Sequence, residues 1–512
     1  MNAGNYLLKR NHAIEEINAQ EIWDVLVIGG GATGLGTALD AASRGFKTLL
    51  AEQYDFAKGT SSRSTKLIHG GVRYLAQGNF ALVKEALRER GRLLDNAPQL
   101  VSKQSFIIPC YSWFEVVKYL SGLTFYDWMS GKHSFGKSVY LNKQQVMAEM
   151  PDLNEKGLKG GVRYYDGRFD DAKLAVSIAR TAAGHGAVLV NYMQVAGLNK
   201  TGGRIDGAIL LDMETRQRYE VKARVVINAT GVYVDEVLKL DRPDNLPMVR
   251  PSQGVHIVVD RSFLKGENAL LIPKTSDGRV LFAVPWHRHL LVGTTDTPVG
   301  KALAEPVALE KEIDFILETA GQYFTKKPVR KDILSVFAGL RPLAVTDKSS
   351  GSTKEISRGH KLVVSGSGLV TITGGKWTTY RKMAEDTVDK AIITAGLERV
   401  SCRTHTIKLY DNSRPWTDDL LSDPAGLQQE VILAVREEMA RTVEDVLARR
   451  LRTLFTDVQQ AKTLAPSVAG WMAAELGRDA AWEAAQVKDF LELAAGYSWN
   501  RLSALTGKNN RR

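Results

Sequence analysis

Four apolar residues, Val25, Leu26, Val27 and Ile28, run directly into Gly29, Gly30 and Gly31, and Gly34 follows three positions later. A short unbroken apolar run is the pattern of a strand buried on both faces, as in a parallel sheet. Past the turn, Leu35, Leu39 and Ala42 recur at helical spacing, Gly45 can adopt a left-handed cap, and residues 48–51 read as a second strand. Strand, turn, helix and strand in that order make a βαβ unit, and Glu52 stands at its end, twenty-one residues past Gly31. Gly29, Gly31 and Gly34 with this acid form a dinucleotide-binding fingerprint. Bare glycines admit a pyrophosphate to the backbone, the helix N-terminus carries partial positive charge, and the Glu52 carboxylate can accept hydrogen bonds from an adenosine ribose. FAD and NAD share this fingerprint, so the choice between them rests on the rest of the chain.

Further strand-like runs at 187–190, 208–211, 225–227, 255–259, 290–292 and 362–364 predict a mixed α/β fold over about the first four hundred residues. From about Ser401 the texture changes. Segments 427–454 and 480–495 are rich in Ala, Leu, Glu and Arg at helical spacing, and Ser413, Pro415, Asp423 and Pro424 read as the connection leading to them. With 44% hydrophobic and 24% charged residues among 512, the chain is globular and has ample core. Cys110 and Cys402 are too few for a disulfide framework or a zinc site built from Cys, and the nine histidines show no ligand spacing, so free thiols and no metal are expected. Residues 1–21 alternate polar and apolar side chains, which does not read as an export signal. The longest stretch without a formal charge, 181–199, is broken by Gly184, His185, Gly186, Asn191 and Gln194, so no membrane span is expected. A formal charge of +11 suits nucleic acid, an anionic membrane or anionic substrates alike. The basic residues are dispersed and match no nucleic-acid-binding motif, which argues against the first.

A second signature is VVINATG at 225–231, an apolar strand entering Ala229-Thr230-Gly231, which resembles the segment that passes the FAD pyrophosphate in flavoproteins with two dinucleotide folds. The segment GTSSRSTKLIHGGVRYL at 59–75 closely resembles the signature of FAD-dependent glycerol-3-phosphate dehydrogenases. So do GVHIV at 254–258, VPW at 284–286, VGTTD at 292–296, GLRPL at 339–343 and GGKWTTYR at 374–381, in the same order, and TVEDVLARR at 442–450 looks like the family's C-terminal helices. The resemblance implies a two-dinucleotide-binding-type FAD fold with a mixed-sheet substrate domain and an all-helical C-terminal domain. Residues 20–395 would hold a discontinuous FAD-binding domain with the substrate domain interleaved at about 75–165 and 240–340, and 399–512 would be helical. It implies non-covalent FAD and oxidation of glycerol 3-phosphate to dihydroxyacetone phosphate by hydride transfer from C2 to flavin N5. Electrons would pass to membrane quinone from the cytoplasmic face of the inner membrane, with an oxidase that reduces oxygen to peroxide as the alternative. A homodimer is compatible with it.

By the same resemblance Arg73, Tyr74, His256, Arg341 and Lys376 lie at the substrate, with Arg358 a further phosphate contact. Arg grips phosphate bidentately while Lys is a compact charge. His256 and His69 both stand as the general base, since imidazole accepts protons near neutral pH. Lys376 and Arg341 would stabilise the developing alkoxide or the flavin edge. Ser62, Thr65, Lys66 and Leu67 are expected along the flavin, with Ala229, Gly231, Gly375, Lys376, Trp377 and Thr378 completing its site. Thr295 and Asp296 would orient the substrate or serve a turn. One segment remains: residues 106–129 crowd Trp113, Phe114, Tyr119, Phe125, Tyr126 and Trp128 around Lys118, with Lys132 beyond. That suits either a peripheral membrane interface or an ordinary core helix.

Overall fold

The computed structural model describes residues 6–75, 78–275, 278–345, 359–411 and 422–500. Trp23–Ile28 lies inside an eight-stranded sheet, parallel to Thr48–Ala51 on one side and to the end of Arg218–Asn228 on the other. Leu26 and Val27 are fully buried because both faces of the sheet are covered, Val27 by helix residues such as Leu39 and Ile178 and Leu26 by strand residues such as Met193 and Leu210, which explains a run without polar residues. Ala32–Ser43 packs between Asp171–Gly184 and Tyr380–Ala395. Val188–Val190 and Val370–Gly374 extend the parallel set, and His360–Val364 closes one edge antiparallel. Three parallel strands therefore end side by side in the turns that begin at Gly29, Ala229 and Gly374, and that edge is where an open α/β sheet holds its ligand.

A second, ten-stranded sheet draws its strands from two separate stretches of chain. Val249–Asp260 pairs antiparallel with Ile333–Ala344 along nearly its whole length and with His289–Gly293 on its other side. Val101–Cys110 pairs with Gly160–Phe169, and Leu67–Ile68 joins the edge, tying the 59–75 motif into this sheet. The aromatic segment divides: its first residues belong to the strand Val101–Cys110, and the rest form the helix Trp113–Ser130, started by a reciprocal cap between Ser112 and Glu115.

The C-terminal helices Pro424–Glu438, Val458–Leu476 and Ala480–Ala494 pack on the second sheet through Val258, Trp286, Leu291 and Phe337. The segment 427–454, rich in helix formers at helical spacing, is not one continuous helix. Met439 and Arg452 both take left-handed backbone angles, and between them Asp445–Arg450 forms a π-helix. The break follows from ionic demand. Asp445 accepts the backbone N–H groups of Arg441 and Thr442, and Arg449 and Arg450 turn inward to Asp55 rather than outward along a helix face. Cys110 and Cys402 are free thiols. Among the described residues no helix is long and apolar enough to cross a membrane.

Candidate functional site

The Gly-rich turn is built for close approach. Gly29 has φ +107°, and a Cβ there would come within 2.9 Å of the Ala229 carbonyl oxygen, so no other residue fits without moving the neighbouring strand. Glu52 folds back onto the turn, accepting from the N–H of Gly30 at 2.5 Å and of Tyr54 at 2.9 Å. Burial pushes its carboxyl above the usual carboxylate range, and these two N–H groups oppose that. Ser61 ties the next loop to the helix start: its hydroxyl accepts from the Ala32 N–H at 2.9 Å, and its carbonyl accepts from Trp377 Nε1 at 2.9 Å. Together they bound a cavity of about 430 Å³ lined by Gly29, Gly31, Glu52, Ala229, Gly231, Gly375, Lys376 and Trp377. A bare cradle at a helix N-terminus with a carboxylate at its far end fits the ADP half of a dinucleotide.

Gly34 stands just behind this cavity, where a side chain would strike the Gly29 carbonyl. Ser62 is buried on the Gly59 carbonyl. Thr378 holds His69, its hydroxyl accepting from the His69 N–H and donating to the His69 carbonyl, both at 3.2 Å. Thr65, Leu67, His69, Tyr74, Thr295, Asp296 and Arg341 line a second cavity of about 810 Å³. Lys376 lines the first cavity and carries its ammonium to 4.7 Å from the centre of the ring of Tyr74, which lines the second.

Arg341 is aimed by its surroundings. It donates to the Thr295 carbonyl at 3.0 Å and the Thr294 hydroxyl at 3.2 Å, and pairs with Asp296 at 3.4 Å, while Gly254 leaves room for the guanidinium on the facing strand. Thr295 spends its hydroxyl inside the protein, donating to Glu312 at 2.9 Å and accepting from the Val255 N–H at 3.0 Å. His256 is buried and stacks on Phe337, its Nε2 lies 2.9 Å from the Thr65 hydroxyl, and its Nδ1 has no hydrogen-bond partner among the described residues. Burial first, then the charges of Lys66 and Arg341, hold this imidazole well below its ordinary pKa, so it is neutral.

Lys66 turns away from the dinucleotide cavity. Its ammonium is buried against Asp171 at 2.6 Å and the Ser62 carbonyl at 2.8 Å, facing Trp286, Phe337 and Phe455. Arg73 lies in the short helix Val72–Leu75, and Arg358 falls outside the described residues. Sequence reasoning missed Asp171 and Arg452, which hold this loop from behind, and the buried trio Arg90, Asp166 and Tyr126 beneath Gly70. No short motif marks them, because each pairs with residues far away in the chain. Among the described residues no cluster of His, Cys, Asp or Glu could hold a metal ion.

Residues 24–381 match the model of the FAD dependent oxidoreductase family, and 359–483 match that of the C-terminal domain of alpha-glycerophosphate oxidase. The mitochondrial glycerol-3-phosphate dehydrogenase of Rattus norvegicus is 39% identical, the alignment covering 93% of this chain and 73% of the relative. A probable mitochondrial counterpart from Dictyostelium discoideum is 36% identical over 96% of this chain and 86% of its own. Among solved structures, the glycerol-3-phosphate dehydrogenase of Bacillus halodurans, complexed with FAD, superposes with a TM-score of 0.78 at 29% identity, covering 96% of this chain and 98% of that one. L-alpha-glycerophosphate oxidase from Mycoplasma pneumoniae shares the fold at 17% identity, with a TM-score of 0.58 over 78% of this chain and all of that one. With a Gly-rich cradle for FAD, a cation-bearing cavity beside it and likeness along nearly its whole length, the chain belongs to the family of FAD-dependent glycerol-3-phosphate dehydrogenases.

Proposed function

We propose that this chain oxidises sn-glycerol 3-phosphate at C2 to dihydroxyacetone phosphate and delivers the electrons to a membrane quinone. The observation that carries the reading is a cavity lined by Arg341, Tyr74 and Thr65, with Lys376 of the dinucleotide cradle reaching the Tyr74 ring and His256 contacting Thr65. FAD, when bound, supplies the hydride acceptor. The chain's own residues bind and orient the substrate. Arg341, already fixed by Thr294, Thr295 and Asp296, offers a fork to the phosphate. Lys376 favours negative charge beside the Tyr74 ring, where the substrate oxygen would lose its proton. His69 and His256 remain the two imidazoles near that oxygen, and Arg73, Tyr74 and Arg358 would complete the phosphate and hydroxyl contacts.

The mouth of the cavity supports the acceptor. Phe80, Tyr119 and Phe125 line it, and Tyr119 and Phe125 belong to the helix Trp113–Ser130. That helix turns Trp113, Phe114, Val117 and Trp128 to solvent at exposures from 61 to 75%. Large apolar side chains in such density mark an interaction surface, and a net positive charge favours an anionic bilayer. We assign the protein a peripheral place on the cytoplasmic face of a membrane, with an FAD-binding domain at 20–395, the substrate domain interleaved in it, and a helical domain beyond 399.

Anaerobic stopped-flow mixing tests this directly. Glycerol 3-phosphate should bleach the flavin band near ~450 nm and glycerol should not. Reoxidation by a quinone analogue without peroxide formation in air is the expected second half. A flavin-loaded protein that glycerol 3-phosphate leaves yellow would overturn the reading, and rapid peroxide formation would make it an oxidase.

A further inference from the structure

Thr65 lines the substrate cavity, whereas His256 is not among the lining residues and contacts the Thr65 hydroxyl through its Nε2 at 2.9 Å. We propose that Thr65 is a proton relay: the substrate's C2 hydroxyl gives its proton to Thr65 Oγ1 while the Thr65 hydroxyl proton passes to His256 Nε2. This rests on the reading of the site given above. The step balances. The C2–H bond breaks with its electron pair leaving as hydride to an oxidised flavin, the C2–O bond becomes a carbonyl, Thr65 ends unchanged, and His256 holds the proton.

The surroundings make this contact hard to change. Thr65 is gripped from both sides. Ser64 donates through its N–H and its hydroxyl to Asp171, and Lys66, in a left-handed conformation, spans from Asp171 to the Ser62 carbonyl. Arg452 reaches the same two acceptors, Asp171 at 2.8 Å and the Ser62 carbonyl at 3.0 Å. His256 is fixed by stacking on Phe337 and by Gly293, where a Cβ would strike its ring. The imidazole therefore cannot swing out to meet a substrate, and the hydroxyl supplies the missing reach. The charged groups facing His256 are Lys66 and Arg341, which disfavour a second cation beside them. A dianionic phosphate held by Arg341 would offset that field, so the imidazole would gain basicity once substrate is in place.

Thr65→Val removes the hydroxyl at nearly constant shape, and Thr65→Ser keeps it. Val should slow flavin reduction by glycerol 3-phosphate at least about a hundred-fold, the lower end of what general acid–base catalysis commands. FAD content and substrate dissociation constant should stay within threefold, and Ser should restore the rate to within tenfold of wild type. A smaller loss in Val, or an equal loss in Ser, overturns the relay. Independently of turnover, the Nε2 resonance of His256 in 15N-histidine-labelled holoprotein, assigned by its absence in His256→Asn, should shift in T65V and return in T65S. An unmoved resonance denies the hydrogen bond. Wild-type protein that glycerol 3-phosphate does not bleach would instead fell the functional reading and the relay with it.

Discussion

Arg341 shows how much of a binding residue's work is done by its neighbours. Its guanidinium is held at two angles by the Thr295 carbonyl and the Thr294 hydroxyl and balanced by Asp296, which also accepts from the Ser252 hydroxyl. A fork fixed in this way loses little entropy on gripping phosphate. Arg341→Ala should therefore lower kcat/KM for glycerol 3-phosphate by about 10²–10³-fold, the few kcal/mol typical of a lost charge-assisted contact, with a raised KM. Arg341→Lys should fall between, because a point charge cannot fork. Steady-state kinetics decides, and near-wild-type values in Ala would remove Arg341 from the site. At this scale the sequence was legible where chemistry sits within one motif. Gly29, Lys376 and Arg341 announce themselves in glycine-bearing motifs, and Glu52 by its place at the end of the βαβ unit. Lys66 was misleading for the opposite reason: it stands in the motif, but its ammonium answers to Asp171, 105 positions on, and lies beside Arg452. The Thr65–His256 contact spans 191 positions and carries no local signal at all.

The helix Trp113–Ser130 joins the outer surface to the active-site loop. Val116, Leu123 and Tyr126 face inward, and the Tyr126 hydroxyl accepts from the Gly70 N–H at 2.8 Å while donating to Asp166 at 2.9 Å. Asp166 is in turn paired with Arg90 at 2.6 Å, which links the helix to the loop through a buried polar network. The opposite face is apolar where a surface helix is ordinarily polar. The aromatic run thus has one core face and one exposed apolar face. Periodicity could not separate them, since aromatics occupy both faces. Replacing Phe114 and Trp128 together by Glu should weaken cosedimentation with anionic phospholipid vesicles by at least tenfold and slow quinone reduction on them. Flavin bleaching by glycerol 3-phosphate in solution should be unchanged, since neither side chain lines the cavity. Undiminished vesicle binding would return this face to an ordinary surface.

At the scale of the whole molecule, the C-terminal helices act on the FAD-binding loops through buried charge. Asp55, three residues past Glu52, takes Arg449 at 2.6 Å and Arg450 at 2.7 Å; Lys58 takes Glu444 at 2.6 Å; Arg452 takes Asp171 at 2.8 Å. The helical character of this region was plain from its composition, but what it touches was not, because these ion pairs join residues from 281 to 395 positions apart. Stranding Asp55's two guanidiniums in Asp55→Ala should destabilise the protein by about 3–5 kcal/mol, as when one partner of a buried pair is removed, and should loosen FAD. The same contacts set an acid limit. Burial alone would raise the Glu444 carboxyl, yet Arg449 and Lys58 outweigh it and hold it at about 2, against 4.5 in the unfolded chain. A depressed native pKa means the unfolded state binds the proton first, so this pair's stabilisation is complete above pH 4.5 and drains away as the pH falls from there toward 2. Glu444→Gln should melt below wild type at pH 6, and the gap should narrow steadily as the pH is lowered through that window, with released flavin fluorescence following the same course. A gap in melting temperature that stays constant from pH 6 to 3 would show that Glu444 is not held down in the native protein, and that the clamp draws its strength from Asp55 alone.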